Sequence, residues 1–137
     1  MRAGCGMGVN NGTGKAILLV EDEPRLLQAL TLSLRGRNYQ VTEAMTAAEA
    51  ITAVTDGRFD VMLLDVNLPD GTGWDVLRTL RDGGRAMPVV VLSAVPPNPQ
   101  RVKEFAPAGV LHKPFPIDAL VRLIRSACGE GQPGADF

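Results

Sequence analysis

Short apolar segments alternate with amphipathic segments along most of the chain. Ala16–Val20, Val61–Leu64 and Pro88–Leu92 are almost entirely apolar, and two further short strands are predicted at Tyr39–Glu43 and Val110–His112. Strands without polar alternation are expected when helices cover both faces of a parallel sheet. The pattern therefore predicts five strands buried between two helical layers.

Each predicted strand is followed by apolar residues at helical spacing. The predicted apolar faces are Leu26, Leu27, Leu30 and Leu34; Ala47, Ala50, Ile51 and Val54; Trp74, Val76, Leu77 and Leu80; Val102 and Phe105; and Ile117, Leu120, Val121 and Ile124. Pro24 suits a first helical turn, and Gly36 suits a helix end. Thr46 and Glu49 predict a capping box. The fourth helix is expected to be short because it follows a proline-rich connection, 96–99.

Five successive β-α units predict a doubly wound α/β fold, with a five-stranded parallel sheet flanked by five helices. The flavodoxin-like strand order 2-1-3-4-5 is the expectation. The folded domain is predicted to span residues 15–128. Residues 1–14 are rich in glycine and are interpreted as a flexible leader, and residues 129–137 as a flexible tail.

The composition excludes several classes of protein. The chain has 137 residues, 45% of them hydrophobic, which suits one globular domain. The net charge of −1 shows no basic excess, so no direct nucleic-acid partner is expected. No run of 18 apolar residues and no secretory signal is present, so no membrane partner is expected. Cys5 and Cys128 form no C-x-x-C pair, and a cytoplasmic location is the expectation.

Chemically active side chains gather where the predicted strands end. In a doubly wound sheet, ligands bind outside the carboxyl ends of the strands. The residues at these ends are Glu21, Asp22, Asp65, Asn67, Ser93 and Lys113. Four separate strand ends thus bring acids, a hydroxyl and one ammonium to the same edge of the sheet. This convergence is more specific than any of the short motifs alone.

The chemistry of such a cluster points to phosphoryl transfer with a metal ion. Three close carboxylates repel one another, and a divalent cation removes that conflict. Hard oxygen ligands favour magnesium or manganese over zinc. An aspartate can attack phosphorus to give an aspartyl phosphate. The ammonium of Lys113 and the hydroxyl of Ser93 are suitable donors to the new phosphoryl oxygens.

Four segments together resemble the signature segments of response-regulator receiver domains. They are Ile17–Pro24 (ILLVEDEP), Leu64–Gly71 (LDVNLPDG), Leu92–Ala94 (LSA) and His112–Phe115 (HKPF). Their order and spacing both match, and the resemblance covers about residues 16–127. It implies a phosphoacceptor module of a two-component system. A sensor histidine kinase or a phosphotransfer protein would phosphorylate Asp65 from a phosphohistidine.

The resemblance also implies a magnesium site. Glu21 and Asp22 would be the acidic pair that supports Mg²⁺, with Asp65 and the backbone carbonyl of Asn67 as further ligands. Asp22 is the expected direct ligand, and Glu21 is expected to act through water.

Further residues are assigned by the same resemblance. Ser93 would be the switch hydroxyl, Lys113 the phosphate-contacting lysine, and the Lys113–Pro114 bond is expected to be cis. One departure stands out. Family members often carry Tyr or Phe three residues before this lysine, and here that position is Val110. The usual read-out by a moving aromatic ring is therefore not expected in its ordinary form.

The leading interpretation is an interaction module rather than an enzyme with an external substrate. Only self-catalysed phosphotransfer and dephosphorylation are expected. The expected output partner is a downstream effector, or a second copy of the chain bound through the last two β-α units.

Three alternatives remain. A haloacid-dehalogenase-type hydrolase also uses a strand-end aspartate, but it normally needs a second Asp two residues on, where this chain has Asn67, and the chain lacks room for a cap. A receiver that binds partners without phosphorylation is the second alternative. A flavin carrier is the third, although Glu21 and Asp22 would repel a phosphate after the first strand.

Overall fold

The computed structural model describes residues 14–129 and shows five β-α units in succession. The strands are β1 (Ala16–Val20), β2 (Gln40–Ala44), β3 (Val61–Asp65), β4 (Val89–Ser93) and β5 (Gly109–His112). The helices are α1 (Pro24–Arg35), α2 (Ala47–Asp56), α3 (Gly73–Asp82), α4 (Pro99–Phe105) and α5 (Ile117–Ala127). The predicted leader and tail lie outside the described residues, apart from Gly14 and Gly129.

The five strands form one parallel sheet in the order β2-β1-β3-β4-β5. This order confirms the predicted fold. Because all strands are parallel, their carboxyl ends lie at one edge of the sheet, and their amino ends lie at the opposite edge. The order reverses between β1 and β3, which places the switch point beside the ends of these two strands.

Two apolar layers enclose the sheet. Helices α2 and α3 cover one face, and α1 and α5 cover the other. Every residue of β3 and β4 is buried, as expected for central strands with helices on both faces. Residues of β5 alternate between half-buried and exposed because this strand lies at the edge of the sheet. None of the helices within residues 14–129 has the length and apolar content needed to span a bilayer.

Strand β2 begins one residue later than predicted. The backbone N–H of Tyr39 donates to the carbonyl of Leu34 at 3.2 Å and so belongs to the turn that leaves α1. Asn38 precedes it with φ of 72°, a left-handed conformation that reverses the chain. Pairing with β1 therefore starts at Gln40, which lies opposite Ala16.

The predicted capping box at α2 forms only in part. The hydroxyl of Thr46 accepts from the N–H of Glu49 at 3.0 Å, as predicted. The carboxylate of Glu49, however, accepts from the N–H of Met45 at 2.8 Å, one residue before the cap. A reciprocal box is found instead at α3. There, Thr72 accepts from the N–H of Asp75 at 3.1 Å, and Asp75 accepts from the N–H of Thr72 at 3.0 Å.

A short antiparallel hairpin, Asn67–Leu68 paired with Gly71–Thr72, joins β3 to α3. Gly73 follows it, and a Cβ atom at this residue would lie 2.6 Å from the carbonyl oxygen of Asp65. Only glycine therefore lets α3 begin this close to the end of β3. The hairpin is held directly beside the last residue of β3.

Candidate functional site

Asp65 is the last residue of β3 and is 5% exposed. Its position is set by the register with β4, where it lies opposite Leu92. One carboxylate oxygen, Oδ1, accepts from the backbone N–H of Asn67 at 3.2 Å. The other, Oδ2, accepts from the ammonium of Lys113 at 3.3 Å. Both oxygens are thus oriented by donors from different parts of the chain.

Glu21 and Asp22 follow β1, which lies beside β3 in the sheet. The side chain of Glu21 is completely buried. Its Oε1 accepts from the ammonium of Lys113 at 2.7 Å, and its Oε2 accepts from the N–H of Glu23 at 3.1 Å. Asp22 is exposed. Carboxylate oxygens of Glu21, Asp22 and Asp65 all lie within 4.8 Å of one another, so the structure brings together the three predicted acids.

Lys113 follows β5, which lies on the side of β4 away from β3, and its ammonium contacts Glu21 and Asp65. Its backbone N–H donates to the carbonyl of Ser93 at 2.8 Å, which continues the β4–β5 pairing past the last residue of β5. The Lys113–Pro114 peptide bond is cis, as the resemblance implied. The lysine therefore contributes its side chain to the site while the chain turns away towards α5.

Burial is the main cause of the shifted pKa values of the two enclosed acids, Glu21 and Asp65. Desolvation raises the pKa of Glu21 and the pKa of Asp65, and the lysine opposes this rise in both cases. The charge of Asp22 raises the pKa of Asp65 further. For Lys113, burial alone would lower the pKa, but the hydrogen bond and charge of Glu21, together with Asp65, raise it. The ammonium is therefore fully charged at neutral pH.

The acidic cluster has the donor chemistry of a site for a hard divalent cation. It offers three carboxylates, and the exposed Asp22 leaves it open to solvent on one side. Mg²⁺ keeps several waters and needs few protein ligands, so an open site of this kind suits it. The acids also outnumber the one lysine, and a cation would relieve the repulsion among them, which adds to the effect of burial on the pKa values of Glu21 and Asp65.

Ser93 lies near the site, but its hydroxyl takes part in a local turn. It is the last residue of β4 and is 2% exposed. The hydroxyl donates to the carbonyl of Val95 and accepts from the N–H of the same residue, the latter at 3.3 Å. The predicted phosphoryl-contacting hydroxyl is thus held by the loop that leads to α4. A hydroxyl hydrogen rotates freely, so this pairing can be exchanged for another acceptor.

Val110 lies on the edge strand β5, opposite Val91, and is 37% exposed. The two phenylalanines nearest in sequence are placed elsewhere. Phe105 stacks on Trp74 at 5.9 Å between ring centroids, and Phe115 packs beside α1 and α5. Neither ring belongs to β5, the strand on which the resemblance expects an aromatic residue at position 110.

Asp70 lies between the two strands of the hairpin after β3 and is not among the functional residues that the sequence indicates. Its carboxylate accepts from the backbone N–H groups of Ala47 and Ala48, at 2.7 and 3.0 Å. These bonds tie the hairpin after Asp65 to the first turn of α2. Because the partners lie 22 and 23 residues away, no local sequence signal could have indicated them.

The described residues form a doubly wound sheet with an acidic cluster and a lysine at its switch point. This combination is typical of one class of α/β signalling domains. The chain belongs to the response regulator receiver domain family, whose model matches residues 17–125. It is thus a receiver domain of the two-component type.

Several similar curated proteins are named as transcriptional regulatory proteins. The transcriptional regulatory protein KdpE of Mycobacterium tuberculosis is 38% identical over 124 residues, which cover 88% of this chain and 54% of KdpE. CusR of Escherichia coli is 32% identical over 117 residues, which cover 84% of this chain and 52% of CusR. The chain spans about half the length of the curated relatives that it matches.

Solved structures of receiver domains have the same fold over nearly their whole length. The HemR receiver domain of Leptospira biflexa is 28% identical with a TM-score of 0.76, covering 88% of this chain and 99% of that one. TrrA of Thermotoga maritima is 25% identical with a TM-score of 0.74, covering 82% and 98%; it was solved in complex with Mg²⁺-BeF.

Proposed function

We propose that Asp65 accepts a phosphoryl group from a phosphohistidine, with Mg²⁺ bound at the acidic cluster. The observation that carries this proposal is the ammonium of Lys113, which lies 3.3 Å from Asp65 and 2.7 Å from Glu21 beside an open set of carboxylates. A nucleophilic carboxylate, a fixed cation and a metal site are the parts that this transfer requires.

In the proposed reaction, a carboxylate oxygen of Asp65 forms a bond to phosphorus while the bond from phosphorus to the histidine nitrogen breaks. The electron pair of that bond stays on the imidazole, and the product is an aspartyl phosphate. Lys113 is already charged and within reach, so it can follow the phosphoryl oxygens without a proton transfer. The Asn67 N–H orients the acceptor carboxylate before the reaction.

Asp22, Asp65 and the Asn67 carbonyl would hold Mg²⁺, and Glu21 would act on it through water. The bound ion would supply positive charge to the phosphoryl oxygens. After transfer, the Ser93 hydroxyl would exchange its bond to Val95 for a bond to a phosphoryl oxygen. That exchange frees the loop that leads to α4. A change at Asp65 can then alter the surface near α4 although Val110 replaces the usual aromatic residue.

We further propose that the chain has no external substrate and catalyses only its own phosphorylation and dephosphorylation. The residue two positions after Asp65 is Asn67. Its amide cannot exchange a proton as the second Asp of a haloacid-dehalogenase-type hydrolase would.

The proposed partners follow from the family and from the relatives. A sensor histidine kinase or a phosphotransfer protein would supply the phosphoryl group. The output would pass to a downstream effector, or to a second copy through the last two β-α units. Because KdpE and CusR are longer transcriptional regulators, control of transcription through a further domain is a proposal for this chain. The cytoplasmic location stays a prediction from the sequence.

Intact-mass analysis after treatment with acetyl phosphate and Mg²⁺ tests the acceptor assignment. The wild type should gain one phosphoryl group, and Asp65→Ala should gain none. Asp82→Asn, which removes an exposed carboxylate at the end of α3, is the matched control and should behave like the wild type. An adduct that persists in Asp65→Ala would overturn the assignment.

Two other outcomes would favour the alternatives. Turnover of p-nitrophenyl phosphate in the presence of Mg²⁺ would favour a hydrolase. A wild type that gains no mass would favour a receiver that works without phosphate, provided that Asp65→Asn also leaves partner binding unchanged.

A further inference from the structure

Two adjoining cavities lie at the amino end of the sheet, opposite the edge that carries Asp65. The first has a volume of about 310 Å³ and lies between α3 and the end of α4. The second, of about 400 Å³, lies between the exit of α2 and the connection from α3 to β4. They share the wall formed by Arg85, Ala86 and Met87. A cavity of this size is within the range of small-ligand sites.

The first cavity is lined mainly by apolar groups that can adapt to a ligand. Met62 and Met87 contribute flexible thioethers, and Phe105 contributes an aromatic ring. The short side chains of Ala86 and Ala108 leave the space open. The lining therefore suits a compact apolar or aromatic body.

The wall of this cavity includes a strained backbone. Ala106, at the end of α4, has φ of 45° and ψ of 59°. This left-handed conformation normally favours glycine at a helix end, and it costs alanine about 1 kcal/mol. Residues held in such conformations are often found at ligand sites. The conformation ends α4, where the N–H of Ala106 donates to the carbonyl of Val102 at 2.8 Å, and it turns the chain along the wall of the cavity.

The shared wall carries positive charge that no acid neutralises. Arg85 donates to the carbonyls of Val54 and Thr55, at 2.9 and 3.5 Å, and forms no ion pair with any described residue. Two neutral acceptors leave its charge uncompensated, and a guanidinium has five N–H donors to share.

The second cavity adds another unpaired cation. Arg58 lines it and has no ion pair within residues 14–129. Asp60 is the one acidic residue in the same lining; its carboxylate accepts from the neutral N–H of Ala16 at 2.7 Å and keeps its negative charge. In the first cavity Glu104 is paired with Arg81 at 3.2 Å. Three arginines (Arg58, Arg81 and Arg85) and two acids (Asp60 and Glu104) line the two cavities, so the combined lining carries a net charge of +1.

We propose that the two cavities together bind one small amphipathic anion. Its apolar body occupies the space between α3 and α4 against Phe105, and its carboxylate reaches Arg85, with Arg58 as a second cation. The residues involved take no part in the acceptor site, so this proposal is independent of the role of Asp65. Such a ligand would contact the end of α4 directly and give the domain a second input.

Binding can be measured by NMR with three probes that share one apolar body: 3-phenylpropionate, 3-phenylpropanol and 3-phenylpropylamine. The acid should shift the backbone amide resonances of residues 85–87, 89, 104–106 and 108, which line the two cavities. Its affinity should exceed that of the alcohol by about tenfold, since a charge-assisted hydrogen bond adds roughly that much over a neutral one. The amine should bind no better than the alcohol.

Two variants locate the ligand. Ala108→Leu fills the first cavity while the backbone bond from Ala108 to Val89 remains, so the acid should lose most of its affinity. Ala48→Leu makes the same change at an exposed position of α2 outside both cavities and should bind like the wild type. Arg85→Gln should reduce the preference for the acid over the alcohol.

The proposal is overturned if none of the probes binds the wild type at millimolar concentration, if acid and alcohol bind equally, or if Ala108→Leu binds as tightly as the wild type. Should Ala108→Leu fail to fold, nuclear Overhauser contacts between the ring protons of the acid and the methyl groups of Met62 and Met87 decide the question in the wild type. Their absence at saturation would overturn the proposal equally.

Discussion

At the scale of single residues, Lys113 determines whether the acids of the site can remain buried. The carboxylate of Glu21 is completely enclosed and accepts from this lysine at 2.7 Å. Burial of a carboxylate without a cation is costly, and removal of one partner from a buried pair leaves that cost uncompensated. The lysine is thus a structural partner of Glu21 as well as a proposed ligand of the phosphoryl group.

We expect Lys113→Met to lower the free energy of unfolding by roughly 2–3 kcal/mol, less than for a fully buried pair because the lysine is partly exposed. Urea denaturation at neutral pH without metal measures the loss. In the Glu21→Gln background the same substitution should cost less, because only Asp65, and no longer the completely buried Glu21, then loses its ion pair. Equal losses in both backgrounds would show that the pair contributes nothing.

The sequence indicated which residues meet at the site but not how each side chain is oriented. Glu21 and Asp22 were predicted as a pair because they follow β1, and the structure places both beside Asp65. Only the packing around β1 shows that Glu21 is enclosed while Asp22 faces solvent. The bond from Ser93 to Val95 was equally hidden, because a strand-end hydroxyl has several acceptors within reach.

At the scale of secondary structure elements, Asp70 fastens the hairpin after β3 to helix α2. Its carboxylate accepts two backbone N–H bonds at the first turn of that helix. A negative charge at a helix N-terminus also interacts favourably with the helix dipole. The hairpin carries Asn67, so this contact fixes the segment from which a proposed metal ligand comes.

The hydrogen bonds from Ala47 and Ala48 lower the pKa of Asp70 below its ordinary value of 3.8. A carboxyl group with a lowered pKa in the folded state stabilises the protein above its unfolded pKa, and this contribution is lost as the pH falls through the folded pKa. We expect Asp70→Asn to have a lower free energy of unfolding than the wild type at neutral pH. This difference in free energy should shrink below about pH 3.8.

Urea unfolding at neutral and acid pH checks this expectation. Asp118→Asn is the control, because within residues 14–129 this exposed carboxylate has one ion pair, with Arg37 at 3.7 Å. Its difference from the wild type should be small at both pH values. A difference for Asp70→Asn that stays constant with pH would contradict the role of the carboxylate charge.

Local patterns predicted the elements better than their connections. Continuous apolar runs gave β1, β3 and β4 because central strands are buried on both faces. The capping box was expected at Thr46, yet the reciprocal pair formed at Thr72, where the partner is Asp75 rather than Glu. Contacts such as that of Asp70 with α2 depend on the whole fold and leave no local pattern.

At the scale of the whole molecule, the site exists only when the sheet is complete. Glu21, Asp65, Ser93 and Lys113 follow or end four different strands and are far apart in the sequence. The unfolded chain cannot hold three carboxylates within 4.8 Å of one another. A cation that needs all three therefore binds the folded state alone, and its binding free energy adds to the stability of the whole domain.

We accordingly expect Mg²⁺ to raise the melting temperature, with a gain of about 1.4 kcal/mol at a concentration tenfold above its Kd. Differential scanning fluorimetry across a Mg²⁺ titration measures this gain at constant ionic strength. Asp22→Asn should lose most of it, because its exposed carboxylate is the proposed direct ligand, whereas Asp118→Asn should retain it. If Asp22→Asn responds like the wild type, the cation stabilises the domain from another place, and the acidic cluster is not its site.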